Sequence, residues 1–145
     1  MRTVEDESGR RYVLLKRSRE ASLVRDVETG ELSHQPTAEL SVVDDASPLA
    51  AAAEGLPDAA RRLVSTVRDD RTLGLLVALE AADGLAARTL LDAEDYCESD
   101  LHGLVSELRA AGLVAEATVD GEPGYRLTES AAAVVRALQS ASASG

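Results

Sequence analysis

The stretch from Leu85 to Leu127 constrains the fold of this chain more than any other part. Its middle has apolar residues at the i, i+3, i+4 and i+7 spacing of one buried helical face, namely Leu101, Leu104, Val105 and Leu108. Gly112 follows as a candidate C-cap, after which two short apolar runs begin. The runs meet at Asp120-Gly121, a dipeptide that accepts positive φ and favours tight hairpin turns. The sequence therefore predicts a helix followed by a hairpin.

Helical patterns flank this stretch on both sides. A short helix is expected at Ala87–Asp92, just before the longer one, and Thr128 is a good N-cap for a last helix at Glu129–Gln139. Two further helices are expected upstream, at Pro57–Arg68 and Thr72–Ala81. A short helix, a turn, a longer helix and a hairpin form the order of a winged helix-turn-helix, which commonly lays the longer helix in the DNA major groove.

The N-terminal part has a different periodicity. Four short alternating runs separated by turn residues predict an antiparallel β-meander over residues 1–36, with strands at Arg2–Glu5, Arg11–Lys16, Ser22–Asp26 and Glu31–Gln35. The sequence thus predicts an α+β chain with four parts. They are the meander (1–36), an acidic linker with one helical turn after Pro48 (37–56), a mostly helical winged helix-turn-helix domain (57–140) and a disordered tail (141–145).

The charge balance indicates an unusual solvent. Among 145 residues, 26 acids oppose 15 bases, a net charge of −11, and Lys16 is the only lysine. This acid-rich, arginine-over-lysine composition resembles that of proteins from salt-loving archaea. In molar salt the Debye length is about 3 Å, so net charge no longer decides which partners approach.

Composition also limits compartment and chemistry. We expect a cytoplasmic protein without membrane contact, since no apolar run reaches the roughly 20 residues that span a bilayer and a lone cysteine forms no internal disulfide. That cysteine, Cys97, is expected to be a small buried apolar side chain. An enzyme is not expected, because the two histidines, His34 and His102, fall in different segments. Phosphate-loop, dinucleotide and metal-ligand patterns are missing from the sequence, so we expect no cofactor and no metal.

Residues 70–138 resemble the winged-helix regulators of the ArsR-like and MarR-like groups. The resemblance rests on Arg88-Thr89-Leu90-Leu91, Ser99, Leu101, Val105, Leu108, Ala110-Ala111-Gly112-Leu113-Val114, Gly121, Tyr125, Leu127 and Thr128. With its β-rich start, the whole chain is similar to a haloarchaeal family that carries a C-terminal winged helix. The resemblance implies a DNA-binding transcriptional regulator. A helix placed like the last one commonly builds a homodimer, and packing in the core is the alternative.

The candidate DNA contacts are the outward residues of the recognition helix, Ser99–Ala111, and its neighbours. They are Ser99, His102, Gly103, Ser106 and Arg109 on the helix, Arg88 before it, and Gly121 and Arg126 in the wing. Acids flank this face at Glu98, Asp100, Glu107, Glu116, Asp120 and Glu122, and they oppose phosphate binding. The alternative is a winged helix that serves protein–protein interaction or assembly without DNA.

Gly103 is unexpected inside a helix, where glycine costs about 1 kcal/mol relative to alanine. Close approach of DNA or of another helix would explain it, and neutral drift is the other explanation. A second basic surface is expected in the meander, formed by Arg10, Arg11, Lys16, Arg17 and Arg19. It is either a solvated strand face or a contact surface for phosphates or an acidic partner.

Overall fold

A computed structural model describes residues 1–44, 47–93 and 97–144 of the chain, with side chains described as far as residue 141. The chain divides into two compact units, Met1–Asp58 and Ala59–Gly145. Antiparallel sheets and helices occur together, so the α+β class predicted from the sequence is confirmed. Each unit is described by itself.

Unit 1 is built on the predicted meander. Its first four strands are β1 (Arg2–Glu5), β2 (Arg11–Lys16), β3 (Ala21–Asp26) and β4 (Leu32–Pro36). Each pairs antiparallel with the next, and a fifth strand, β5 (Ser41–Val42), pairs with β1 to give the order β4-β3-β2-β1-β5. A β-bulge interrupts the pairing of β2 with β3 between Leu14 and Lys16.

The connection between β4 and β5 makes this sheet curl. In a flat sheet the outer two of five strands would be roughly 19 Å apart. Only five residue steps join Pro36 to Ser41, and they include a 3₁₀ turn at Thr37–Glu39, so they span about 14 Å. The sheet edges therefore approach each other, and the concave face encloses a small core of Val4, Tyr12 and Val24.

The segment 37–56 is not the acidic linker that we predicted. It contains the 3₁₀ turn, β5 and a helix, α1 (Pro48–Glu54), whose N-cap Ser47 accepts a hydrogen bond from the amide of Ala50. Proline suits the first position of a helix, and the following alanines favour it. The helix buries Ala51 against Val13 and Val27 on the outer side of the sheet. We expected one helical turn in a linker, and the helix is longer and packed on the sheet, because small alanines make its contacts.

Unit 2 contains the helices and the hairpin in the predicted order. Its elements are α2 (Asp58–Thr66), α3 (Asp70–Ala82), β6 (Leu85–Ala86), α4 (Ala87–Leu91), α5 (Glu98–Ala110), β7 (Val114–Val119), β8 (Glu122–Leu127) and α6 (Glu129–Ser144). The strands form a sheet of order β6-β8-β7. The hairpin of β7 and β8 pairs through β8 with the short strand β6, which precedes α4.

The core of unit 2 is aliphatic and centres on α3 and α5. Leu76 and Leu79 of α3 are buried together with Leu108 of α5, and Leu113 and Val135 close the same cluster. Apolar side chains at helical spacing remove one face of each helix from water. The predicted inward residues of α5 are confirmed, with Leu104 only partly buried.

Two backbone features of the α5–hairpin stretch agree with the sequence. Gly112 has φ 73°, its amide donates to the carbonyl of Arg109, and the amide of Leu113 donates to that of Leu108, the pattern of a Schellman motif. At the hairpin turn Asp120 and Gly121 both have positive φ, 51° and 78°, as a type I′ turn requires.

The last helix is longer than predicted. It continues to Ser144, whereas we expected a disordered tail at 141–145, and Gly145 lies outside the described residues. Alanine and serine alternate after Gln139, and the strong helix propensity of alanine is enough to continue a helix already capped at Thr128. None of the described helices is long and apolar enough to cross a membrane.

Two glycines of unit 2 give opposite expectations for substitution by alanine. A Cβ on Gly124 of β8 would collide with the carbonyl oxygen of Leu85 and lie 2.9 Å from the Cα of Ala86, so Gly124→Ala has to displace β6. We expect a loss of about 1–3 kcal/mol in the free energy of unfolding. A Cβ on Gly74 of α3 meets no atom within 4 Å, so Gly74→Ala should gain about 1 kcal/mol.

Denaturant unfolding in concentrated salt measures both changes. Equal stability of Gly124→Ala and the unsubstituted protein would contradict the close packing of β6 on β8.

Candidate nucleic-acid interface

The outward face of α5 is open to solvent. Leu101, Val105 and Leu108 point into the core, which turns the opposite side of the helix outward. The five predicted helix residues on that side, Ser99, His102, Gly103, Ser106 and Arg109, are all exposed. The helix is 13 residues long, and its outward side presents small and polar groups to any partner.

The start of α5 differs from what we expected. Cys97 is exposed rather than buried, and it occupies the N-cap position without making a side-chain cap. Ser99 lies in the first turn of α5, and its hydroxyl is 3.4 Å from the Cys97 sulfur. The N-cap position precedes the helical turns whose buried face enters the core, so the usual burial of cysteine does not hold here.

Arg109 forms an ion pair with the first strand of the hairpin. Its Nη1 lies 3.0 Å from Oε1 of Glu116 on β7, and both side chains are largely exposed. The pair lies beside a shallow groove of about 540 Å³ between α5 and β7, which Ser106 and Ala115 also line. Arg109 is thus held at the junction of the helix and the wing.

Arg88 and Arg126 line a second groove, of about 550 Å³, beside the base of the wing. Arg88 of α4 donates to Glu122 of β8 at 3.0 Å. Arg126 of β8 donates through Nε to the backbone carbonyl of Asp83 at 3.1 Å, with the Asp83 carboxylate 3.4 Å away. These two arginines and Arg109 therefore belong to separate grooves and do not form one positive surface.

Each of these three arginines holds a carboxylate, yet the pairs are weak. Exposed ion pairs contribute about 0–1 kcal/mol because water screens them and the long side chains lose freedom. A phosphate oxygen that reaches Arg109 therefore has to replace only a weak ion pair with Glu116. The partners Glu116, Glu122 and Asp83 were not assigned from the sequence. No local sequence pattern indicates these partners, because each pair joins residues of different elements.

Gly103 has no structural requirement within unit 2. A Cβ placed there meets nothing within 4 Å, and the residue has ordinary helical φ rather than a positive value. Neither close packing nor backbone strain explains the glycine. At the wing tip Gly121 differs, because its positive φ is required by the turn.

The predicted basic surface of unit 1 does not form a single patch. Arg10 and Arg11 lie at the start of β2, where Arg11 is opposite Glu5 in the strand register. Lys16, Arg17 and Arg19 lie at the other end of β2 and in the following turn. All five are exposed. Arg10 is bound to the buried carboxylate of Asp26.

Asp26 organises the turn between β3 and β4. Its carboxylate accepts hydrogen bonds from Nε of Arg10 and from the amides of Glu28 (2.8 Å) and Thr29 (3.1 Å). Burial alone would raise the pKa of Asp26, but the hydrogen bonds from Arg10 and the two amides prevail and lower it below its usual value. Arg10 therefore has a structural partner, unlike the residues at the other end of β2.

Comparison with known proteins gives a family. A family model described as "Family of unknown function (DUF7346)" matches residues 1–139. The chain belongs to that family. No curated protein matches it.

The family match covers both units, so the curled sheet and the helical unit occur together in this family. Within the residues that the structure describes, no three His, Cys, Asp or Glu side chains are grouped to hold a metal ion. The exposed face of α5, the two grooves beside the hairpin and the cations near the end of β2 are candidate binding features among the described residues.

The lowered pKa of Asp26 predicts how acid affects unit 1. A carboxylate with a lowered folded-state pKa stabilises the fold above its unfolded pKa of about 3.9, and that contribution is lost as the pH falls through the folded value. We expect Asp26→Asn to melt at a lower temperature at pH 6 and to depend less on pH below about 4.

Melting temperatures between pH 6 and pH 2 measure this dependence, with Glu31→Gln in the same turn as the control. Parallel acid profiles for Asp26→Asn and the control would contradict the assignment.

Proposed function

We propose that unit 2 binds double-stranded DNA as the winged helix-turn-helix of a transcriptional regulator from the cytoplasm of a halophilic archaeon. The recognition helix is α5, and β7 and β8 form the wing. The carrying observation is the exposed face of α5, which presents Ser99, His102, Gly103, Ser106 and Arg109 while its leucines are buried. A helix with one face fixed in a core and small polar groups on the other fits a major groove.

The acidic surface is compatible with this function in concentrated salt. At a Debye length of about 3 Å, Glu98 and Asp100 repel only phosphates that they nearly touch. The same screening weakens attraction, so binding depends on direct hydrogen bonds and on close fit. The hydroxyls of Ser99 and Ser106, the imidazole of His102 and the guanidinium of Arg109 supply such contacts.

The same proposal includes a homodimer formed through α6. Ala131 and Val135 of α6 are buried in unit 2, and Leu138 continues their stripe but is 51% exposed. The helix runs on to Ser144 beyond this leucine. A second copy that covers Leu138 would extend the apolar contact and give the two-fold symmetry of a regulator on a palindromic site.

A second candidate function is assembly with another protein without DNA. The ion pairs of Arg88 with Glu122, of Arg109 with Glu116 and of Arg126 with Asp83 favour it, because every predicted cation of the interface already has a carboxylate partner. The choice between the two functions depends on whether phosphates displace these carboxylates.

Gel-shift titration of fragments of the source genome in molar potassium chloride tests the DNA function. We expect the protein to retain a subset of fragments as a complex of two chains, measured by light scattering. Arg109→Glu should weaken that binding about tenfold or more, since a guanidinium contact to a base is worth about 1–3 kcal/mol. Glu116→Gln should strengthen it by freeing Arg109.

Arg68→Glu is the matched control, because it also reverses an exposed arginine that faces a glutamate, Glu107 at 3.8 Å, and it lies outside α5 and the wing. Equal retention of fragments by Arg109→Glu, Arg68→Glu and the unsubstituted protein would remove Arg109 from any groove contact. Absence of any retained fragment would leave assembly as the function.

Gly103 separates stability from binding. Gly103→Ala adds a methyl group to open space, so we expect the free energy of unfolding to rise by about 1 kcal/mol. If DNA approaches the backbone of α5 at this point, the methyl group intrudes and affinity falls although the fold becomes more stable. Gly74→Ala is the control, with the same gain in stability and no expected change in affinity. Unchanged DNA affinity of Gly103→Ala would show that nothing approaches closely there.

A further inference from the structure

Four of the basic residues of unit 1 lie at or near the C-terminal end of β2. Lys16 is the last residue of β2, and Arg17 and Arg19 follow in the turn to β3. Arg2 of β1 pairs with Leu14, two residues along β2 from Lys16, so it joins the same group. Arg2, Lys16, Arg17 and Arg19 together form the cationic turn. The register of β1 on β2 is what places Arg2 near Lys16.

The cationic turn differs from the other candidate surfaces in its ion pairing. In the part of the chain that the structure describes, none of its four side chains forms an ion pair, and all four are exposed. This distinguishes them from Arg10, which holds Asp26, and from Arg109, which holds Glu116. On a chain of net charge −11, four adjacent unpaired cations are the most favourable place for an anionic partner.

Hydrogen bonds hold the turn in one conformation. The Thr37 hydroxyl donates to the Ser18 carbonyl at 2.7 Å and lies 2.7 Å from the hydroxyl of Ser22, which is fully buried. The Ser18 amide donates to the Ser22 hydroxyl at 3.3 Å, and the Thr37 amide donates to the Glu20 carbonyl at 3.0 Å. The backbone on both sides of Arg19 is therefore fixed before any partner arrives, and a fixed site loses less entropy on binding.

The β-bulge adds to this arrangement. It lies between Leu14 and Lys16, immediately before the turn. A bulge increases the local twist of a strand and redirects the side chains that follow it. Lys16 and Arg17 thus leave the regular alternation of β2 at the point where they join the cationic turn.

We propose that the cationic turn of unit 1 is a second DNA-contacting surface, at which Arg2, Lys16, Arg17 and Arg19 bind the phosphate backbone of duplex DNA. This inference rests on the proposed function of unit 2 and assigns to unit 1 the sequence-independent part of the affinity. Phosphate contacts position a protein on a duplex, whereas base contacts specify the sequence. The three arginines of unit 2 that are predicted to contact DNA, Arg88, Arg109 and Arg126, are already paired with carboxylates, whereas the cationic turn forms no ion pair among the described residues.

Duplex DNA fits this surface better than an acidic protein does. Three of the four cations are arginines, whose planar guanidinium groups bind phosphate or carboxylate oxygens through two hydrogen bonds at once, so the spacing of the anions has to separate the two partners. In concentrated salt the steering of acidic proteins by long-range attraction is lost, so only such direct hydrogen bonds retain a partner. The phosphates of DNA recur at short regular spacing and offer several such contacts to one group of cations.

Single charge reversals in unit 1 of the whole chain test the proposal. The probes are a labelled duplex of arbitrary sequence, a genomic fragment that the protein retains, and labelled poly-L-glutamate as a model acidic chain. We expect Arg17→Glu and Arg19→Glu to weaken binding of both duplexes alike. Each should reduce the slope of log affinity against log salt by about 0.9, the value of one phosphate contact.

Arg11→Glu is the matched control, because it makes the same charge change at the opposite end of β2, and it should bind as the unsubstituted protein does. Melting temperatures confirm that all variants fold. Affinity and salt slope equal to those of Arg11→Glu would overturn the proposal, and so would binding of poly-L-glutamate that needs Arg17 and Arg19 while duplex binding does not.

The outcomes separate this proposal from the function of unit 2. Loss of binding with Arg109→Glu but not with Arg17→Glu or Arg19→Glu would leave the regulator and remove the cationic turn. The reverse pattern would support the cationic turn and remove α5 as the recognition helix. Failure of the unsubstituted protein to bind either duplex would overturn both.

Discussion

The burial of one apolar stripe of α5 determines which residues of that helix are exposed to solvent. Leu101, Val105 and Leu108 pack into the cluster formed by α3, Leu113 and Val135. Each fully buried aliphatic side chain contributes about 1.5–3 kcal/mol, so the rotation of α5 about its axis is fixed far more strongly than any surface contact could fix it. The polar residues between them are exposed as a consequence. The Schellman motif at Gly112 then ends the helix where the hairpin must begin.

The sequence predicted those elements whose structure is determined by neighbouring residues and is also retained in the complete fold. The strands of the meander, the buried stripe of α5 and the turn at Asp120-Gly121 were predicted because periodicity and turn chemistry act over a few residues. The strand β5 was missed, and α1 was predicted only as one turn of a linker. Their stability comes from distant partners, since Val42 pairs with Val4 and Ala51 packs on Val13. A strand of two residues and a helix made mostly of alanine have no hydrophobic periodicity that would reveal such contacts.

The candidate interface was predictable in its positions but not in its electrostatics. Helical spacing alone indicates which residues of α5 face outward. It does not indicate that Arg109 meets Glu116 or that Arg126 meets Asp83, because these pairs join residues brought together only by the sheet. The split of the unit 1 cations has the same origin. Arg10 is adjacent to Arg11 in sequence but bound to Asp26, while Arg2 joins Lys16 through strand pairing.

Concentrated salt makes the pairing of each cation more important than the total charge. When screening limits electrostatic effects to about 3 Å, a net charge of −11 does not keep a phosphate away, and an unpaired arginine does not draw one in from a distance. What then matters is whether a guanidinium is free and held in place when a phosphate arrives. Arg109 is held but must release Glu116, whereas Arg19 forms no ion pair with any residue that the structure describes and lies in a turn fixed by Thr37. The proposed division of labour between the two units follows from these local differences: in that proposal unit 1 offers contacts that are ready for any phosphate, and unit 2 offers contacts that form only where the fit is good enough to replace an existing ion pair.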